Sequence, residues 1–348
     1  MSPFITTILL SSLGLGTTLT FMSSHWLLAW MGLEINTLAI LPLMAQHHHP
    51  RAVEATTKYF LAQAAAAATI LFASSINAWT TGEWNISCLT HPIAITLTIM
   101  ALALKVGLAP MHFWMPPVLQ GLDLMTGLIM ATWQKLAPFA LIIQIAPLTH
   151  PQLPITLGLL SVLIGGWGGL NQTQLRKILA YSSIAHLGWM IIISQLKPQL
   201  TILALITYII MTSATFLTFK MLHSTKINTL TMAWTKTPII TTTAALMLLS
   251  LGGLPPLTGF MPKWLIMQEL TMQGLPLTAT IAALSALLSL YFYLRLCYAM
   301  TLTIAPSTTN LTTPWRLYNT QSTASLAMFI SMALLLLPLT PLAQALVN

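Results

Sequence analysis

Apolar residues fill long stretches of this chain on every side instead of alternating with polar ones. Leu326–Leu337 and Leu203–Ile210 offer no polar face at either a two-residue or a 3.6-residue period. Transmembrane barrels alternate over segments of about ten residues, so continuous runs near 20 predict membrane-spanning helices. Reading such runs between polar or proline-rich breaks gives eleven helices, near 3–22, 25–45, 54–79, 91–120, 124–145, 152–171, 175–195, 200–222, 238–272, 276–299 and 323–345. The fourth and ninth are about 30 residues or longer and carry internal prolines, so they are expected to be broken helices.

Composition fixes the class. With 56% hydrophobic and 5% charged residues among 348, and a mean hydropathy of +0.81, too few polar groups exist to cover a soluble globule. The expected fold is an all-α integral membrane protein. Lys and Arg exceed Asp and Glu by 13 to 5, yet no polar stretch clusters them, so nucleic acid is not an expected partner. The cations instead follow topology. Arg51, Arg176 with Lys177, Lys226 with Lys236, and Arg316 fall in even-numbered loops, and Lys197 is the one clear cation in the odd-numbered set. The positive-inside rule then puts the amino terminus and the basic loops on the side of insertion. Met1 leads straight into an apolar stretch without a basic or Arg-rich leader, so the first segment is expected to stay in the mature protein.

The two broken helices share a motif. Gly107-Leu108-Ala109-Pro110 precedes Trp114-Met115-Pro116, and Gly253-Leu254-Pro255-Pro256 precedes Phe260-Met261-Pro262, both reading Gly-Leu-x-Pro-x-x-x-(Phe/Trp)-Met-Pro. The offset, 253 − 107 = 146 residues, carries the chain across five spans. An odd number of spans reverses the direction of entry, the signature of inverted five-helix repeats with two discontinuous helices. The expected division is 1–145 for the first repeat, 146–300 for the second, and 301–348 for a loop and final helix. Kinks from scattered Gly-Pro clusters are the simpler alternative.

Four ionisable side chains lie inside these spans: Glu34, Lys105, Lys135 and Lys263. A charge at the bilayer centre costs about 2.5–3.5 kcal/mol on insertion scales, so such residues face a bundle interior or a polar path. Glu34 has no cation within reach along its own helix, and a buried carboxylate either pairs or takes up a proton. Lys105 is the expected partner, as a structural ion pair or as one that opens when a proton arrives. Lys135 lies too deep to snorkel and is the leading candidate for a proton carrier, with Lys263, directly after the second motif, its counterpart. His112 and His186 read as a relay through neutral imidazole, as satisfied core histidines, or as axial haem ligands.

Other candidates carry less chemistry. His47-His48-His49 sits beside Pro50 and Arg51 and reads as a solvated loop ahead of a metal site. Cys88 and Cys297 have no disulfide or metal spacing. The sequons at Asn85, Asn171 and Asn310 are frequent by chance in a Thr-rich chain. Glu54 with Lys58, Lys220 and Arg295 read as interfacial anchors, and Trp79, Trp84 and Trp234 as an aromatic belt. Asp123 and Glu269 lie near predicted boundaries.

Trp30-Met31-Gly32-Leu33-Glu34-Ile35-Asn36, Lys105 through Trp114, Thr132 through Pro138, and Gly253 through Trp264 together resemble the chain 2 family of mitochondrial NADH–ubiquinone oxidoreductase, respiratory complex I, over essentially the whole length. The resemblance implies an antiporter-like, proton-translocating subunit of the inner mitochondrial membrane with its basic loops in the matrix. It implies that the animal form lacks three leading helices of a longer bacterial subunit. It assigns Glu34 and Lys105 to a coupled pair, Lys135 to a central proton site and Lys263 to a terminal site. It also implies partners, antiporter-like chain 4, small chain 4L and lipids such as cardiolipin, and no cofactor in this chain, since NADH, FMN, iron–sulfur clusters and ubiquinone belong to other subunits. Relatives commonly carry a glutamate shortly after the Phe-Trp pair, where this chain has Pro117, which removes any carboxylate role there. The competing functions are a stand-alone cation/proton antiporter and a structural membrane subunit without its own proton path.

Overall fold

The computed structural model describes residues 2–46, 49–302 and 323–347, and the regular elements among them are helices joined by two isolated antiparallel bridges. His47, His48, Asn310 and Arg316 lie outside the described residues. The chain divides into two compact units, Met1–Ser161 with Ile191–Pro198, and Val162–Met190 with Gln199–Asn348.

In the first unit α1 (Pro3–Met22) and α2 (Trp26–Met44) cross at glycines. A Cβ on Gly16 would stand 2.9 Å from the Gly32 carbonyl oxygen, so only glycine lets the two backbones approach this closely. Next comes α3 (Pro50–Thr81), longer than the expected 54–79 because Pro50 fits the first helical turn and His49 caps it. Arg51 therefore sits in a helix, not in a loop. After α4 (Pro92–Val106) the chain leaves the helix at Gly107, whose φ of 88° is left-handed, and resumes as α5 (Met115–Gly121).

The expected single helix over 124–145 is two helices, α6 (Leu124–Ala131) and α7 (Trp133–Ile145). Two side chains flank the break. The Thr132 hydroxyl and its own N–H both donate to the Leu128 carbonyl, and Pro138 has no N–H to offer the turn before it. Lys135 thus lies in the first turn after the break, and its N–H donates to the Thr132 carbonyl at 3.3 Å.

Helices α8 (Gln152–Gly169) and α9 (Leu175–Ile193) come next, and the second unit continues with α10 (Pro198–Met221), short α11 (Ile227–Thr231) and α12 (Ala233–Lys236), α13 (Pro238–Gly252), α14 (Phe260–Met272) and α15 (Pro276–Thr301). The final expected span, 323–345, is also interrupted. Between α16 (Ala324–Leu335) and α17 (Thr340–Val347) lies a tight turn, Leu337–Leu339, at Pro338. Seven helical segments among the described residues are long and apolar enough to cross a membrane, and α4, α13 and α16 are shorter apolar helices. At 15 residues each, α4 and α13 rise only about 22 Å, short of a hydrocarbon core of about 30 Å, so the irregular stretch and next helix complete each crossing.

The internal geometry of one unit reappears in the other. Helices α4 and α13 start and stop 146 residues apart (238 − 92 and 252 − 106), and Gly253, with φ of 80°, ends α13 as Gly107 ends α4. Over the first helices the offset is 149. Both ends of α2 map onto α9 (175 − 26 and 193 − 44). The α1–α2 link forms an antiparallel bridge through His25 with Asn85, and the α8–α9 link forms one through Gln174 with Lys226. The glycine crossing repeats as well: a Cβ on Gly165 would stand 2.9 Å from the Tyr181 carbonyl oxygen, the positions of Gly16 and Gly32 plus 149.

At Gly259 a Cβ would lie 1.7 Å from the Ser250 carbonyl oxygen, whereas at Gly14 nothing stands within 4 Å. Gly259→Ala is therefore expected to destabilise the protein by about 3 kcal/mol or more through overpacking, and Gly14→Ala to be neutral or slightly stabilising. Thermal unfolding of the two variants checks the contrast.

Candidate functional site

Each broken helix ends with backbone carbonyls that have no partner further along it, and in lipid such groups must be bonded by protein. The two units solve this differently. In the first, the Trp114 indole N–H donates to the Leu104 carbonyl at 3.0 Å, and the Gln63 amide of α3 donates to the Lys105 carbonyl at 3.4 Å. In the second, the Lys263 ammonium itself donates to the Gly252 carbonyl at 2.8 Å. A cation at a helix carboxyl end also meets the negative pole of the helix dipole. Lys263 minus 146 is 117, the position of Pro117, so the first unit has no lysine to repeat this contact.

Lys105 and Lys135 are brought together. Both line one cavity of the first unit, of about 10 Å³, room for about one water, and they are 5% and 3% exposed. Its polar lining comes from α2, α3 and α7: Asn36, Thr37, Tyr59, Gln63 and Gln134. Gln134 donates to the Asn36 carbonyl at 3.2 Å, and the Tyr59 hydroxyl reaches the Gln134 side-chain oxygen at 3.5 Å. The Lys105 ammonium is buried with no hydrogen-bond partner, as are both polar atoms of the Asn36 amide.

Glu34 is half-buried on α2, and one of its carboxylate oxygens is buried without a hydrogen-bond partner. No direct hydrogen bond joins it to the Lys105 ammonium. The two are coupled through space instead, since the charge of Glu34 acts on both Lys105 and Tyr59. His112 lies in the irregular stretch after α4, 4% exposed, with its ring 4.5 Å from that of Phe113, and it does not line the lysine cavity. His186 belongs to the second unit, on α9, with its ring centroid 5.8 Å from that of Tyr208. Tyr59, Gln63 and Gln134 were not singled out in the sequence. The available signal was a polar side chain at helical spacing in an apolar span, and the many Ser and Thr of this chain mask it.

Outside the cavity, Lys58 pairs with Glu54 one turn away on an exposed face of α3, and Arg295 donates to the Leu170 carbonyl at 2.8 Å. Both fit anchoring roles. Cys88 and Cys297 are free thiols.

Comparison with known proteins agrees with this architecture. Residues 23–290 match the family described as NADH:quinone oxidoreductase/Mrp antiporter, TM, and residues 290–344 match NADH dehydrogenase subunit 2 C-terminus. The chain is 75% identical to NADH-ubiquinone oxidoreductase chain 2 of Formosania lacustris over 99% of both chains, and 73% identical to that of Carassius auratus over 98% of both. Among solved structures it is similar to a chain of respiratory complex I from Thermus thermophilus with bound aureothin, at 29% identity and a TM-score of 0.87, covering 99% of this chain and 80% of that one. A chain of the Mrp complex from Dietzia, at 17% identity and a TM-score of 0.85 over 97% of this chain and 76% of that one, shares the fold.

The cap on α4 can be tested apart from the lysines. Trp114→Phe keeps an aromatic ring but removes the indole donor to the Leu104 carbonyl, and it is expected to lower stability by about 1–3 kcal/mol, the cost of leaving a buried acceptor unmade. A lowered unfolding temperature checks it.

Proposed function

The chain belongs to the NADH-ubiquinone oxidoreductase chain 2 family, and on that premise we propose that Glu34, Lys105, Lys135 and Lys263 carry protons through it. The protein is a proton-translocating membrane subunit of respiratory complex I, coupled to NADH oxidation and ubiquinone reduction in other subunits. The observation that carries the site assignment is the pair of buried lysines on one polar-lined cavity, with Glu34 acting on one of them through space.

The chemistry rests on Coulomb's law in a medium that screens poorly. An ionised Glu34 attracts the Lys105 ammonium, and a proton arriving on Glu34 ends that attraction. The Lys105 proton is then free to leave along the cavity, where Gln134, Tyr59 and Lys135 offer the next polar atoms. In the second unit Lys263 holds a proton against the carboxyl end of α13 through the Gly252 carbonyl. Moving one charge against 100 mV takes about 2.3 kcal/mol, a size that interactions between buried charges can supply.

The same reading places the chain in the inner mitochondrial membrane, with its amino terminus and basic loops in the matrix. Chain 4, chain 4L and lipids such as cardiolipin are its neighbours, and the redox cofactors are held by other subunits. The two structural units are copies of one antiporter-like repeat, which the matched helix ends and glycine crossings support.

Lys135→Met in the assembled enzyme, reconstituted into vesicles, is expected to lower the number of protons translocated per NADH oxidised. An unchanged ratio removes Lys135 as a carrier. Replacing Glu34 with Gln and Lys105 with Met together is expected to uncouple pumping as well, whereas a purely structural pair predicts weaker assembly and an unaltered ratio in the fraction that assembles.

A further inference from the structure

The irregular stretch between α13 and α14 is held from two sides. Gly259 packs its backbone against the Ser250 carbonyl of α13, and the residue before it, Thr258, donates its hydroxyl to the Ala333 carbonyl of α16. Thr17, Thr20 and Thr56 return their hydroxyls to a carbonyl one turn back in their own helix, whereas Thr258 reaches 75 residues along the chain. Thr258 is 2% exposed, and Ala333, 0% exposed, is the one buried residue among those described in α16. The Ala333 carbonyl lies in the last turn of α16, where carbonyls have no partner within the helix, so the hydroxyl gives it a donor from outside.

The first unit fastens its break differently. Subtracting 146 places Thr258 on His112, Phe260 on Trp114 and Lys263 on Pro117. Trp114 ties the first irregular stretch back to α4 through the Leu104 carbonyl at 3.0 Å, and His112 is hydrogen-bonded to the Pro110 backbone of its own stretch. Phe260 has no N–H to repeat the indole contact. The second stretch instead reaches out to α16, which lies in the segment matching the subunit 2 C-terminus and outside the segment matching the shared antiporter family. Helix α14 begins two residues after Thr258, and Lys263 in its first turn donates to the Gly252 carbonyl at 2.8 Å. The anchorage of Thr258 therefore bears on where α14 starts and how far the ammonium stands from α13.

We infer that Thr258 is a positioning residue, through which α16 fixes the start of α14 and holds the Lys263 ammonium on the carboxyl end of α13. Without the hydroxyl the stretch keeps only its contact at Gly259, and α14 is free to shift along α13. A displacement of about 1 Å takes a hydrogen bond of ordinary length out of range. No proton passes through Thr258 in this role, and its contribution is geometric. The inference rests on the proton-carrying reading of Lys263.

Thr258→Val, Thr258→Ala, Thr258→Ser and Lys263→Met are compared in the assembled enzyme in vesicles, reading protons translocated per NADH oxidised. Thr258→Val and Thr258→Ala are expected to lower that ratio toward the value of Lys263→Met, and Thr258→Ser, which keeps the hydroxyl, to match the unsubstituted enzyme. Thr258→Val combined with Lys263→Met is expected to lower it no further than Lys263→Met alone, because the two act through one contact. If Lys263→Met lowers the ratio while Thr258→Val and Thr258→Ala leave it unchanged, the positioning role is overturned and the lysine reading stands. If Lys263→Met leaves it unchanged, the lysine reading falls and the positioning role with it. A packing role for Thr258 gives the opposite order, with valine keeping the ratio and serine lowering it. Should Thr258→Val assemble poorly, the Thr258→Ala and Thr258→Ser pair decides, since the two differ by one oxygen.

Discussion

A backbone carbonyl in hydrocarbon must find a donor, and the left-handed glycine breaks that end α4 and α13 are where that requirement shapes the most around it. The motif at each break supplies a left-handed glycine, Gly107 or Gly253, to end the helix and prolines to keep it from resuming. Donors from elsewhere in the unit must then cap the exposed end. One unit recruits neutral donors, Trp114 and Gln63, and the other recruits a lysine. The distinction has consequences for chemistry. Because Gln63 and Trp114 occupy the carbonyls at the end of α4, the Lys105 ammonium is left to face the cavity without a hydrogen bond, while the Lys263 ammonium is tied to the carboxyl end of α13.

The same constraint explains why the buried polar residues cluster. An isolated polar side chain in an apolar bundle carries its full desolvation cost, and each additional partner reduces it. Tyr59, Gln134 and Asn36 therefore form a connected set around the two lysines, and most Ser and Thr elsewhere return their hydroxyls to a carbonyl three or four residues back, as Thr17, Thr20 and Thr56 do. Hydroxyls bonded in this way are internal to one helix. Ser182 and Ser183 of α9 do the same, donating to the Leu179 and Ala180 carbonyls.

The legibility of these features in the sequence depends on their physics. Charges in an apolar run are conspicuous because nothing else in the run tolerates them, so Glu34 and the three lysines could be named at once. The broken helices were visible because their conformation demands Gly and Pro, residues with few substitutes at those dihedrals. The residue-by-residue match of α1–α3 to α8–α10 was not visible. A helix crossing asks only for a small residue, met here by Gly16 and Gly165, and the rest of each lipid-facing surface is free to drift among apolar types. The break at Thr132 escaped for a related reason: a proline is tolerated within a membrane helix, so Pro138 by itself does not announce an interruption. The expected Glu34–Lys105 ion pair makes no direct hydrogen bond, because sequence gives helix faces and not the last few ångströms between side chains.

The two units differ in how they hold charge. Glu34, Lys105 and Lys135 all belong to the first, and at an effective dielectric constant of 20 two unit charges about 10 Å apart interact by about 1.7 kcal/mol, comparable with the work of moving a charge across 100 mV. Such a set responds strongly to a single arriving proton. The second unit keeps one lysine of this kind and has Ser183 where the 149-residue offset puts Glu34. The result is a divided arrangement, in which three of the four ionisable residues within the spans stand in the first unit and one in the second. It also limits cost: a second full set of buried ions would add several kcal/mol of desolvation per charge, with little gain once Lys263 is fixed on the carboxyl end of α13.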